Sequence, residues 1–151
     1  MAAEYLANAV QLVNNNSPIV FTASIPCNRN FIYHEDETGI FILRGIVNNP
    51  CANFAQYQVT FNANIALPTG GTVNPIAVAI TVNGEERPTS RAIVTPAAVD
   101  EYSNVTSTAI IKVPRGCCFN LSIDAVPGSV TETPAQTIEV QNANLVINRI
   151  A

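Results

Sequence analysis

The stretch "YQVTFNANIAL", residues 57–67, alternates without a break. Tyr57, Val59, Phe61, Ala63, Ile65 and Leu67 are apolar, and Gln58, Thr60, Asn62 and Asn64 between them are polar. Successive side chains of an extended chain point to opposite faces, so a period of two predicts a half-buried β-strand. Two further stretches repeat the pattern. "PIAVAITVNG" puts Ile76, Val78, Ile80 and Val82 on one face and ends in Asn83-Gly84, a strong hairpin-turn signal. "CFNLSIDA" does the same with Cys117, Phe119, Leu121, Ile123 and Ala125.

Working outward, the runs 9–13, 18–22, 31–35, 39–48, 89–95, 103–113 and 142–150 also read as strands. The opening "MAAEYLANAV" reads as a helical turn instead. Breakers separate the runs: "NNNSP", "EDETG", "NNPC", "PTGG", "TPAAVDEYSN" and "VPGS". About ten short strands at this spacing indicate an all-β sandwich or jelly roll. With 151 residues, no internal repeat and no linker, the chain is expected to form one domain over 1–151.

Charged residues make up only 12% of the chain. So little charge implies that part of the surface is covered by partner subunits, or that Asn and Thr carry solubility. The net charge is −4, and the seven basic residues are scattered, so a nucleic-acid partner is not expected. No apolar run reaches the roughly 20 residues of a membrane span. The N-terminus lacks the basic and apolar regions of a secretory signal. The expected place of synthesis is therefore the cytoplasm, with release by another route such as lysis.

The segments "GIFILRG", "YQVTFNANIALPTGG", "PIAVAITVNGE", "STAIIKVP" and "NANLVINRIA" together resemble the trimeric jelly roll of tumour necrosis factor and the complement globular head. The likeness runs from Val10 to Ala151 and lies in the order and spacing of strands. It is nearest to small domains of this type in bacterial collagen-like surface proteins and in phage particles from gut Firmicutes. No Gly-X-Y stalk stands before the domain, which departs from the collagen-tailed members and favours a stand-alone subunit. The resemblance implies strands A, A', H, C and F in one sheet and B, B', G, D and E in the other. It also implies a homotrimer that is not an enzyme and needs no cofactor. The expected role is a virion subunit, a head decoration or fibre protein that contacts capsid or other virion proteins. The alternatives are a trimeric adhesin for a receptor or glycan, and a stalkless spore or cell-surface protein.

Few residues offer chemistry. His34, the single histidine, has no second His for a metal site, and no G-x-S-x-G elbow is present. Glu35, Asp36 and Glu37 lack the alternating spacing of a calcium loop and read as a solvated turn. The three glycosylation sequons, at Asn15, Asn104 and Asn120, read as chance matches. The cysteines, Cys27, Cys51, Cys117 and Cys118, have no C-x-x-C spacing. Strand parity points Cys117 inward and Cys118 outward. The resemblance gathers all four at one pole, where two bridges could form, one closing Cys51 to Cys117 or Cys118. Reduced thiols and a metal site are the other readings.

Two further expectations follow. Pro114-Arg115-Gly116 suits a tight hairpin within one sheet, whereas the family topology sends this connection across the sandwich. Apolar residues on the polar parity of strands F and H mark the trimer interface: Ile110, Val146 and Ile150. Strand C is expected to carry none of comparable size.

Overall fold

The computed structural model describes residues 2–26, 31–35, 37–46, 51, 53–128 and 137–150. Twelve strands follow one another in these residues. They are β1 (Ala2–Ala7), β2 (Gln11–Val13), β3 (Ala23–Ile25), β4 (Ile32–His34), β5 (Phe41–Leu43) and β6 (Phe54–Ala66). After them come β7 (Ile76–Val82), β8 (Glu85–Glu86), β9 (Ala92–Val94), β10 (Ser103–Pro114), β11 (Phe119–Pro127) and β12 (Ile138–Arg149).

The strands form two antiparallel sheets. The first has the order β10-β6-β12-β1-β3, with β2 also on β12. The second has the order β4-β5-β11-β7-β8, with β9 also on β7. The apolar parity of the decisive stretch faces inward: Tyr57, Val59, Phe61, Ile65 and Leu67 are completely buried. Ile76, Val78 and Ile80 meet them from β7, and Leu121 and Ile123 from β11. Burial of apolar area between the two inner faces, at about 25 cal/mol per Å², is the main force holding the sandwich together.

The connection through Pro114-Arg115-Gly116 crosses from one sheet to the other, because β10 lies in the first and β11 in the second. The tight hairpin is therefore not formed. Asn83-Gly84 does make the expected turn, with positive φ at both residues. The N-terminus corrects the helical reading: Ala2–Ala7 is a strand, paired along its whole length with β12. Its alanines favour a helix in isolation, but a free edge of β12 offers backbone partners that outweigh propensity. The expected strand over 18–22 shrinks to one bridge, Pro18 with Asp124, and pairing resumes at β3. Pro18 lacks the N–H that a ladder needs. The last strand begins at Ile138, earlier than 142, and a bulge between Gln141 and Asn144 accommodates Asn142 at φ 53°.

Candidate interaction surfaces and the cysteine pole

On the outer face of the first sheet, register sets the neighbours. Thr108, Thr60, Val146 and Glu4 form one row across β10, β6, β12 and β1. Ile110, Gln58 and Asn148 form the next. Beyond it Lys112 pairs with Gln56, whose carbonyl accepts the Ile150 N–H. The half nearer Ser103 is a polar ladder: Asn104 Nδ2 donates to Asn62 Oδ1 at 2.7 Å and to Asn64 Oδ1 at 3.1 Å. The other half is apolar. Ile110 is 51% exposed and Ile150 45%, and Val146 is half-buried.

Phe54 belongs to this half as well. It is 39% exposed, with the Lys112 ammonium 4.9 Å from its ring centre. The expectation that strand C carries no large apolar residue here is thus corrected. β6 begins three residues before Tyr57, and the outward parity of Gln58 and Gln56 continues to Phe54. That parity was readable in the sequence once the strand was extended toward Cys51.

The same end of the sandwich is the pole where the cysteine loops converge. The Arg115 N–H donates to the Asn53 carbonyl at 3.0 Å, and the Gly116 N–H to the Ile46 carbonyl at 3.2 Å. Gly45 presses against the backbone carbonyls of Pro114 and Gly116, where any side chain would collide. Gly116 itself turns at φ +102°, a conformation that costs glycine little. Beneath the loops the buried Tyr57 hydroxyl donates toward the Arg44 carbonyl at 2.5 Å and the Phe31 carbonyl at 3.2 Å. The Arg149 guanidinium lies 3.8 Å from the centre of the Phe31 ring. Tyr57→Phe removes the donor from both carbonyls and is expected to cost about 1–3 kcal/mol. Urea denaturation checks this, and an unchanged midpoint would show that the hydroxyl does not hold the pole.

Within that pole the thiols of the adjacent Cys117 and Cys118 are packed against each other. Cys117 is exposed and Cys118 half-buried, which reverses the expected parity. The reason is local: β11 starts only at Phe119, so both cysteines lie in the preceding turn, outside the extended geometry that would splay them apart. Cys51 is exposed, two residues before Asn53, and Cys27 lies outside the described residues.

Elsewhere several polar residues have structural partners. His34 stacks on Phe41 with ring centres 4.5 Å apart, and its Nε2 is 2.9 Å from the Thr38 carbonyl. Glu35 and Glu37 flank the turn after β4, and Asp36 lies outside the described residues. Glu86 is paired with Arg91, whose Nη1 donates to the Pro127 carbonyl at 3.0 Å. Burial raises the pKa of the nearby Asp124 carboxyl, against the pull of the Ser122 and Thr81 hydroxyls. Among the described residues no group of three His, Cys, Asp or Glu is placed to hold a metal ion. Among those same described residues no helix is long and apolar enough to cross a membrane.

Solved structures with this architecture cover nearly the whole chain. The globular domain of zebrafish complement 1qA matches with a TM-score of 0.61 and 13% identity, over 99% of this chain and 97% of that one. The fold is that of the complement and tumour necrosis factor globular domains. The Eiger TNF of S. frugiperda has a TM-score of 0.64 at 11% identity, covering 100% of this chain and 92% of its own. Murine APRIL has a TM-score of 0.57 at 8% identity, over 98% and 99% of the two chains. No family model matches the sequence, and no curated protein does. In the TNF-like strand order, β3-β1-β12-β6-β10 takes the places of A', A, H, C and F. The strands β4, β5, β11, β7 and β9 take those of B', B, G, D and E. The division into sheets drawn from the resemblance holds.

Proposed function

We propose that the protein is a non-enzymatic structural subunit that assembles as a homotrimer and serves as a head decoration or fibre protein of a phage particle. The observation that carries the assembly is the divided outer face of the first sheet. One half is a hydrogen-bonded Asn and Thr ladder, and the other exposes Phe54, Ile110, Val146 and Ile150. A monomer would leave this patch in water; three copies around an axis bury it. The fold supports the same reading, since the likeness to tumour necrosis factor and complement heads implies three-fold assembly. For a non-catalytic role the support is that His34 is held between an aromatic ring and a backbone carbonyl. The phage assignment rests on the sequence resemblance, and with it the location on a virion and contact with capsid proteins. Immunogold labelling of phage particles from the native host tests it. Gold on capsids or fibres supports the assignment, and gold confined to spores or cell envelopes would replace it with the surface-protein reading.

A further inference from the structure

The outer face of the second sheet ends at the cysteine pole in a hollow of about 380 Å³. Its lining is Tyr33, Ile42, Arg44, Gly116, Cys117 and Cys118. Tyr33 and Ile42 are cross-strand partners on β4 and β5. Ile32, Phe41 and Leu43 fill the core, so Tyr33 and Ile42 turn outward, and Tyr33 remains 52% exposed. Arg44 follows β5 and is also exposed; among the described residues its guanidinium makes no ion pair.

The charge around the hollow runs against that of the whole chain. The described residues of the pole, 44–46, 51, 53–54, 112–120 and 149–150, include Arg44, Lys112, Arg115 and Arg149 and no acidic residue. The nearest acidic residues are Glu35, two positions after Tyr33, and Glu85, which pairs with Val82 two strands across the sheet, while Glu86 is already paired to Arg91. Asp100, Glu101 and Glu139 sit at the opposite pole, near the Leu67 and Ala66 end of β6. A net charge of −4 therefore coexists with a basic set of loops beside the hollow, and these attract anions.

We infer that this hollow is a binding site for a carboxylate-bearing sugar ring, an acidic glycan unit. The volume lies at the lower end of small-ligand sites. Tyr33 and Ile42 offer a surface for the apolar C–H face of a pyranose, and the Arg44 fork matches a carboxylate. The site lies on the sheet opposite the apolar patch, so trimer formation leaves it open, and its test is separate from that of assembly.

The probes are tetragalacturonate and its methyl ester, which keeps the rings and removes the charge. Calorimetry on the full chain is expected to show binding of the acid, and about tenfold weaker binding of the ester. Arg44→Gln is expected to bind both probes equally weakly, Arg44→Lys to recover part of the preference, and Tyr33→Ala to weaken both. All three substitutions are at exposed positions, and circular dichroism confirms that each variant is folded. Equal affinity for acid and ester, unchanged binding by Arg44→Gln, or no binding at millimolar sugar would overturn the inference. Tighter binding of hexaglutamate than of tetragalacturonate would overturn it in favour of an acidic protein surface.

Discussion

Replacing Val146 by aspartate splits the proposed trimer into monomers. Val146 stands on the outer face of β12, opposite Thr60 on one side and Glu4 on the other. In the assembly its side chain faces the axis, and an aspartate there buries a charge without a partner. That costs about 3–5 kcal/mol per protomer. Three protomers pay it together, so the association constant falls by roughly six orders of magnitude or more. In the monomer the same change is mild, because the position is half-exposed and only Glu4 repels the new carboxylate. Sedimentation velocity of the variant should show one slow species with an unchanged circular dichroism spectrum. Val146→Thr, nearly the same shape, should remain assembled. An aspartate variant that sediments like the parent would remove this face from the interface.

Phe41→Ala is the largest single loss expected in the fold. Phe41 is fully buried and sits among three rings: Tyr5 at 4.5 Å, His34 at 4.5 Å and Phe21 at 5.6 Å between centres. It joins the first sheet, through Tyr5 of β1, to the hairpin of β4 and β5. Truncation removes the ring and leaves a cavity that these neighbours fill poorly, at about 3–5 kcal/mol. A domain of this kind has about 5–15 kcal/mol in all. The melting temperature should fall by about 6–20 °C. Ile93→Ala, at a position 52% exposed, serves as the control and should be nearly silent. A drop for Phe41→Ala no larger than that of the control would mean that the ring cluster does not join the sheets.

What the sequence disclosed, and what it hid, follows from how local each signal is. The long strands β6, β7, β10 and β11 were legible because their alternation is local and one face is buried against the other sheet. Asn83-Gly84 was legible because its conformation is set by the two residues themselves. β1 was hidden, since Ala2–Ala7 becomes a strand only through β12, more than a hundred positions away. Short β3 was missed and β5 was drawn too long, because three residues carry too little periodicity to fix a boundary. Of the candidate surfaces, Ile110, Val146 and Ile150 were visible as apolar residues on a polar parity. Phe54 was not, because the strand was begun too late. The exposure of Cys117 and the partial burial of Cys118 depended on where β11 starts, a boundary that no residue pattern marks. The hollow was invisible for another reason: Tyr33, Arg44 and Cys118 come from three segments that only the topology brings together.

In the proposed trimer the exposed apolar half of the first sheet is covered by two further copies of the same chain. Sedimentation equilibrium of the purified protein at micromolar concentration decides whether it is. One species of three times the 16.1 kDa chain mass is expected. A single species of one chain mass, unchanged as concentration is raised, would contradict it.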